Sequence, residues 1–545
     1  MPFLDWVNKN QAVTSASQVP YHLLHLEQTH GDANAAQKNL IIQGDNLQAL
    51  KALLPFYTGK VKCIYADPPF NTEQAFPDYD DKLEHSQWLS MFYPALELQR
   101  ELLASDGTLF IHIDDNELGY LIAIADEVMN RKNRIAIVTF KQGAATGHKS
   151  INPGMVSTSN FILVYAKDKA LWKPNRLFTG RERDKRYGSF LTNPDAHYSE
   201  WRLTTLSAAF ASAKSKKITV LRKELGSQLL EEQLNDFVIE HARQVIRTAR
   251  PDYDAVSEAA QTVIDQSKSE PDRLFLLERE GYSNMYFKNG ERWIFYREKL
   301  KDIDGKLVAG EPLTTLWDDL LSNNLHKEGG VEFPKSKKPE ALLKRVIELS
   351  TKTGELVLDG FLGSGTTAAV AHKMGRHYIC IERGEHAVTK CLPRLRAVIG
   401  GDQNGVSQSV GWQDGGGFSF YTLGEAVFNA NGQISANVRF NSLAAYIWLL
   451  ETKTAIAIKA TQANTPFIGE HEGVAYYLLY NGILGDRRPN GGNVLTSQVF
   501  AYLNTVHAHT GQKVIFGEAS RIGEAKLNAL GINFKQIPYE LHERI

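Results

Sequence analysis

Glu355-Leu356-Val357-Leu358-Asp359-Gly360-Phe361-Leu362-Gly363-Ser364-Gly365-Thr366-Thr367 reads as a short buried strand, Glu355 to Leu358, that passes through a glycine loop into an alanine-rich helix, Ala368 to Met374. Glycines at such a junction let the backbone approach a ligand closely and leave the helix N-terminus free to face it. A tight strand-to-helix connection is the plainer alternative. A phosphate-cradling P-loop is disfavoured, because no Lys follows the glycines. A second strand, His377 to Ile381, ends in Glu382, 23 residues after Asp359. An acid about 20 residues beyond the loop is placed to bind the two hydroxyls of a ribose. Loop and acid together predict an adenosine-containing cofactor, NAD included.

Working outward, strand candidates are Leu40 to Gln43, Val61 to Ala66, Thr108 to Ile113, Ile135 to Phe140 and Phe161 to Ala166, with helices such as Gln87 to Leu103 and Pro339 to Ser350 between some of them. In the second of these helices Leu342, Leu343, Val346 and Ile347 share a face. The alternation predicts an α/β fold with a doubly wound, mainly parallel, Rossmann-like sheet. Ligands in such sheets sit beyond the carboxyl ends of the strands, where the strand order reverses.

A second motif stands at one of those ends. Asp67-Pro68-Pro69-Phe70 follows directly on the apolar run Val61 to Ala66. An exocyclic amine on a nucleobase is a poor nucleophile, so an enzyme must hold it by both hydrogens. The Asp67 carboxylate and the Pro68 carbonyl supply two acceptors, since successive prolines fix φ and leave their carbonyls without a helical partner. Phe70 offers a stacking face worth about 1–3 kcal/mol per base. A polar strand-to-loop turn is the plainer alternative. If the tetrapeptide and the glycine loop share one crevice, their strands must be neighbours despite their separation in sequence.

These motifs resemble the S-adenosylmethionine-dependent DNA amino-methyltransferases in which the catalytic tetrapeptide precedes the cofactor loop, and within that group the modification (Mod) subunits of type III restriction-modification systems. Leu40 to Leu47, Asn71-Thr72, Trp88 to Met91, Asp106 to Glu117 and Phe161 to Lys167 follow the same pattern. Two departures stand out. Phe70 replaces the commoner Tyr, keeping the ring, and Gly360 and Leu362 take places usually held by other residues. The resemblance implies a flipped adenine held by Asp67, Pro68, Pro69 and Phe70, with Asn71 bordering the base. It implies a cofactor set of Asp45, Asp359, Phe361, Gly363, Gly365, Thr366 and Glu382, with the backbone of Gly363 and Gly365 and with Thr366 at the methionine end, Glu382 at the ribose and Asp45 near the adenine ring. Asp67 in place of Ser favours adenine over cytosine as the target. It also implies double-stranded DNA as substrate, a helicase-nuclease restriction subunit as partner, and pairing of two Mod copies.

Composition fits a multidomain enzyme. A chain of 545 residues, 43% hydrophobic and 23% charged, predicts about two to four domains. The expected division is 1–37 as an N-terminal segment, 38–170 and 311–400 as two halves of the methyltransferase domain, 171–310 as an inserted target-recognition region, 401–436 as linker and edge structure, and 437–545 as a small C-terminal α/β domain. The insertion reads as helical from Ile218 to Thr248 and Ala255 to Ser267. Gly415-Gly416-Gly417 reads as a boundary.

With net charge −1, DNA binding must come from a local patch. Lys173, Arg176, Arg181, Arg183, Lys185 and Arg186, interleaved with Phe178, Tyr187 and Phe190, are the candidates for phosphate contact; a solvated basic surface is the alternative for any one of them. Cys63, Cys380 and Cys391 are not spaced as metal ligands, so no metal centre is expected. Their sparseness points to a reducing, cytoplasmic setting. Met1 to Asn10 is short and mixed and no apolar run spans a bilayer, so neither export signal nor membrane segment is expected. Three rival readings remain at this level: an NAD-dependent dehydrogenase, which leaves the tetrapeptide without a task, a cytosine 4-amino methyltransferase, and a catalytically weak DNA-binding specificity subunit.

Overall fold

Strands that are apolar on both faces must be covered on both faces, and Val61–Ala66 and its neighbours are of that kind. The computed structural model describes residues 3–71, 83–143, 154–320, 325–331, 337–457, 465–481 and 492–542. The chain forms two compact units, Met1–Asn175 with Thr314–Ile545, and Arg176–Leu313.

One ten-stranded sheet organises the larger unit. Its strands in chain order are β1 (His22–Gly31), β2 (Asn39–Gln43), β3 (Val61–Ala66), β4 (Leu103–Ile113), β5 (Arg134–Lys141), β6 (Ser159–Ala166), β7 (Leu316–Trp317), β8 (Leu356–Asp359), β9 (His377–Glu382) and β10 (Gly417–Ala426). Their spatial order is β1-β10-β2-β9-β8-β3-β4-β6-β5-β7. Every pairing from β10 through to β4 is parallel, whereas β1 and β6 run antiparallel to their neighbours. The fold is therefore α/β with a mixed, mainly parallel sheet. β8 lies directly beside β3, with Val357 opposite Cys63 and Leu358 opposite Ile64. From β3 the chain moves on to β4, and from β8 it moves to β9 on the other side. The strand order thus reverses between β3 and β8, which is where such sheets bind ligands.

The helices that matter for the site are α1 (Asn46–Tyr57), α2 (His85–Leu102), α3 (Leu118–Met129), α4 (Glu340–Ser350) and α5 (Thr366–Lys373). Trp88, Phe92 and Leu96 of α2 are fully buried and join one core with Ile64, Ile111 and Leu358. Full burial of one such side chain is worth about 1.5–3 kcal/mol, so this face of α2 clamps the central strands. Leu342, Leu343, Val346 and Ile347 of α4 are all fully buried, as their shared face predicts.

Several elements differ from the sequence reading. β4 starts at Leu103, and Ser105-Asp106-Gly107 lies in a register irregularity between the pairs Val61–Leu103 and Cys63–Thr108. Gly415-Gly416-Gly417 runs into β10, which lies inside the main sheet between β1 and β2. A Cβ on Gly417 would lie 2.4 Å from the Asp32 carbonyl oxygen, so Gly417 serves a close backbone crossing. In the smaller unit the helix Ile218–Glu240 ends well before Thr248, and Val245–Ala249 is a strand of a six-stranded sheet. That unit has its own core, in which Tyr187, Phe190, Phe210 and Phe237 are buried.

The C-terminal part of the larger unit adds a four-stranded sheet, β11 (Phe467–His471), β12 (Val474–Leu478), β13 (Gln512–Gly517) and β14 (Ile532–Gln536), with helices α6 (Phe440–Thr452) and α7 (Ser497–Val506). Leu443 and Ile447 of α6 share a core with Leu478 and Phe516 of that sheet.

An ion cluster sits beneath the glycine loop. The Glu340 carboxylate lies 3.0 Å from Lys373 Nζ and 2.7 Å from an Arg394 guanidinium nitrogen, and none of the three side chains has exposed surface. Burial works against the Glu340 charge, but the two cations hold its carboxyl below the ordinary value. Arg394 in turn donates to the Ser364 carbonyl (3.2 Å) and to Thr366 Oγ1 (2.9 Å). Glu340→Ala leaves the buried Arg394 guanidinium without its carboxylate and Lys373 with only Asp402 at 3.4 Å, and is expected to cost about 3–5 kcal/mol in urea unfolding. Glu348→Ala, which breaks a pair with Lys344 on the same helix but at a more exposed edge, is expected to cost less than about 1 kcal/mol.

Candidate functional site

Asp67 is the first residue after β3. Its Oδ2 lies 2.7 Å from Lys338 Nζ, and its Oδ1 is buried without a hydrogen-bond partner among the described residues. Burial pushes the Asp67 carboxyl above the usual carboxylate range, and the Lys338 ammonium works to bring it down. The same ammonium stands 4.6 Å from the centre of the Phe70 ring, within cation–π range. One nitrogen is thus gripped by a carboxylate and an aromatic ring at once. Lys338 escaped the sequence reading. Its signal was a Lys directly before Pro339 and the start of α4: a helix N-terminus disfavours a cation unless an anion faces it.

The turn itself is braced. The Pro69 carbonyl accepts a hydrogen bond of 2.7 Å from the Trp88 indole, tying the tetrapeptide to α2. Among the described residues nothing donates to the Pro68 carbonyl. Phe70 lies 5.4 Å from the imidazole of His112, centre to centre. His112 is fully buried, with Nδ1 2.7 Å from Tyr65 Oη and Nε2 3.2 Å from the Asn160 amide nitrogen. Burial, helped by the nearby Lys338 charge, pushes its pKa well below the ordinary value, so it packs under Phe70 as a neutral ring. Asn71 is buried with φ 60°; its amide nitrogen donates to Glu117 (2.6 Å) and its oxygen accepts from the Leu83 amide (2.8 Å). His85 reaches the same Glu117 oxygen at 2.6 Å. Asn71 therefore fastens the chain on both sides of residues 72–82, and Thr72 lies outside the described residues.

The glycine loop closes the other side. Asp67, Lys338, Asp359, Phe361, Gly363 and Thr366 line one pocket. Gly363 and Gly365 have φ of 57° and 83°, the left-handed region that favours glycine. Asp359, at the end of β8, accepts from the Phe361 amide (2.8 Å) and from the Thr367 hydroxyl, so it staples loop to helix. Burial pushes its pKa up to about 7, against the pull of those two donors. Glu382, at the end of β9, accepts from the amides of Gly363 (2.7 Å) and Gly384 (2.9 Å) and lies 2.9 Å from His386 Nε2. Asp45 follows β2 and caps α1, its Oδ1 accepting from the amides of Leu47 (3.1 Å) and Gln48 (3.2 Å). A buried acid, a helix N-terminus and glycines in the left-handed region form a donor and acceptor set that fits an adenosine-type cofactor.

The basic candidates fall into two groups. Arg181 pairs with Glu311 at 3.5 Å, Arg183 with Glu231 at 2.7 Å, and Arg186 grips Asp184 with two nitrogens. Lys173, Arg176 and Lys185 are exposed and make no ion pair among the described residues. Tyr187 and Phe190 point into the core of the smaller unit and offer no stacking face. Cys63, Cys380 and Cys391 are buried, and burial pushes their thiols up, so none is a nucleophile. Among the described residues no helix is long and apolar enough to cross a membrane.

Residues 61–391 match the family model of the N6/N4 DNA methylases. Among curated proteins the chain is 35% identical, over 438 residues, to the "Probable type III restriction-modification enzyme HindVI Mod subunit" of Haemophilus influenzae, a match covering 75% of this chain and 56% of that protein. It is 28% identical to the type III restriction-modification enzyme EcoPI Mod subunit of Escherichia phage P1, covering 70% of this chain and 63% of the other. The chain thus spans little more than half the length of these relatives. Among solved structures, the M1.HpyAVI–SAM complex aligns at 14% identity with a TM-score of 0.31, covering 65% of this chain and 98% of the other. The family match takes in β3, the tetrapeptide, Lys338 and the glycine loop alike, and the chain belongs to the N6/N4 DNA methylase family.

Proposed function

We propose that the chain is the modification subunit of a restriction-modification system and methylates the 6-amino group of an adenine flipped out of duplex DNA, with S-adenosyl-L-methionine as methyl donor. One observation carries this reading. Lys338 Nζ, 2.7 Å from Asp67 Oδ2 and 4.6 Å from the Phe70 ring centre, is a nitrogen donor held in the geometry that a target amine needs. The grip closes beside Gly363 and Thr366, in one pocket.

The cofactor supplies an electrophilic methyl group. Gly363, Gly365, Thr366, Asp359 and Phe361 hold its methionine end, Glu382 its ribose, and Asp45 stands near its adenine ring. Phe70 stacks on the flipped base, and stacking of about 1–3 kcal/mol offsets part of the few kcal/mol spent on extraction. Asp67 Oδ1, buried and unpartnered among the described residues, accepts one amine hydrogen, and the Pro68 carbonyl accepts the other. Two acceptors turn the nitrogen lone pair towards the methyl group. The ionised Asp67 would also stabilise the positive charge that develops on the amine nitrogen while the methyl group leaves the sulfonium, whose S–C electron pair stays on sulfur as a neutral thioether, and the surplus amine proton would then pass to water. Positioning supplies most of the rate. Asn71 sets the edge of the base site through Glu117. Lys173, Arg176 and Lys185 contact backbone phosphates, and a helicase-nuclease subunit is the restriction partner, a reading supported by the Mod subunits the chain resembles.

Digestion of DNA modified by the pure protein, followed by mass spectrometry of the nucleosides, is expected to give 6-methyladenine. A 4-methylcytosine product overturns the adenine assignment, and no methylated base at all favours a specificity subunit without catalysis. Asp67→Ala is expected to abolish transfer while calorimetry finds cofactor affinity within a few-fold of wild type; collapse of cofactor binding contradicts the assignment of Asp67 to the amine. Lys338 lowers the Asp67 pKa, so Lys338→Met raises it and protonates the carboxylate at higher pH. The acid limb of kcat/KM against pH is therefore expected to move to higher pH in that variant, and an unmoved limb shows that Asp67 does not control it.

A further inference from the structure

Glu470, on the outer strand β11, faces two imidazoles from the loop between α7 and β13. Its Oε2 lies 3.4 Å from His507 Nε2 and 3.5 Å from His509 Nδ1. A charge-assisted hydrogen bond between imidazolium and carboxylate closes to about 2.7–2.9 Å. Ligands at about 2.0–2.2 Å from a tetrahedral zinc ion are instead about 3.3–3.5 Å apart, which is the spacing found here. The ligand atoms of all three side chains lie within 4.8 Å of one another.

Each ligand is held in place by a partner that does not compete for the ligating atom. His509 Nε2 is 3.1 Å from the Gly473 carbonyl oxygen. A carbonyl only accepts, so Nε2 carries a proton, which leaves Nδ1, the nitrogen that faces Glu470, as the ligating atom of the neutral ring. The His507 ring stacks on Phe467 at 4.0 Å with 19° between planes, and its backbone carbonyl accepts from Tyr477 Oη at 3.1 Å. Glu470 is fixed by the pairing of β11 with β12. Orientation of imidazoles by a carbonyl and an aromatic wall is the usual support of a metal ligand.

We propose that Glu470, His507 and His509 bind one divalent transition-metal ion of the zinc type. Two imidazoles with one carboxylate suit zinc, cobalt or nickel rather than the all-oxygen shells of calcium and magnesium. The Glu470 side chain is 44% exposed, so water completes the fourth position. The ion cross-links the β11–β12 hairpin to the loop entering β13, and shares no residue with the Asp67 pocket. Cysteine spacing had led the sequence reading to expect no metal. The His-x-His pair acquires a third ligand only because β11 folds beside that loop.

The test uses the full chain, stripped with EDTA and titrated with Zn²⁺ by calorimetry and with Co²⁺ by visible absorption. Wild type is expected to bind one equivalent with the strong d–d bands of tetrahedral cobalt and to melt at a higher temperature with Zn²⁺. His507→Ala, His509→Ala and the near-isosteric Glu470→Gln are each expected to weaken binding at least tenfold and to lose the melting shift, with methyl transfer unchanged. Wild type that binds no metal, or variants that titrate as wild type does, overturn the proposal. If a His variant fails to fold by circular dichroism, Glu470→Gln decides alone: wild-type affinity in that variant rejects the site.

Discussion

Two backbone pairings, Val357 with Cys63 and Leu358 with Ile64, are the constraint on which the site depends. They join strands whose sequences are separated by the whole of the smaller unit. A slip of one residue in that register reverses the faces on which side chains lie, and a buried parallel strand cannot tolerate it, because both of its faces are covered. The register puts Asp67 and Asp359 at adjoining strand ends. Burial pushes both carboxyls up, the Asp67 charge adds to the rise at Asp359, and each needs its own relief. Asp67 is relieved by Lys338 and Asp359 by the Phe361 amide and Thr367 hydroxyl.

That division of partners explains why α4 is as central as the strands. Its first turn carries Glu340, which braces Arg394 beneath the glycine loop, and the residue two before it is Lys338. A cation and a buried anion so close in sequence face opposite tasks. Glu340 holds the loop from below, and Lys338 reaches into the pocket. A single well-packed helix therefore sets both halves of the crevice, and its fully buried Leu342, Leu343, Val346 and Ile347 keep it in place.

Most of this was legible in the sequence because the signals were local. Strand, glycine loop, helix and Glu382 follow one another within a short stretch, and Asp67 to Phe70 stands at the end of an unbroken apolar run. Features that depend on long-range meeting were not legible. Lys338 gains its role from Asp67, far away in sequence. The bonds from Asn71 to Glu117 and to the Leu83 amide were likewise out of sight, since the first exists only once α3 is set beside the turn. The aromatic residues among the basic cluster looked exposed because their neighbours are charged, but Tyr187, which precedes the short strand Ser189–Leu191, and Phe190 within it are both buried in one core. Gly415 to Gly417 looked like a linker because composition reports flexibility, whereas close backbone crossing selects the same residue.

The split of the catalytic sheet by an inserted unit follows from how the chain leaves and returns. At the exit, the Asn175 backbone amide donates to the Leu349 carbonyl at 2.9 Å, and its side chain donates to the carbonyls of Glu348 (2.6 Å) and Thr351 (3.0 Å), fixing it to the C-terminal end of α4. At the return, β7 pairs with β5, Leu316 opposite Thr139 and Trp317 opposite Phe140, at the sheet edge remote from β8. Both ends are therefore anchored on the larger unit by its own contacts. Residues 176–313, with a separate hydrophobic core, can change sequence without disturbing the β3–β8 register. The pocket beside β3 and β8 and the surface of residues 176–313 thus belong to two bodies that each pack around a core of their own, so substitutions on one leave the packing of the other intact.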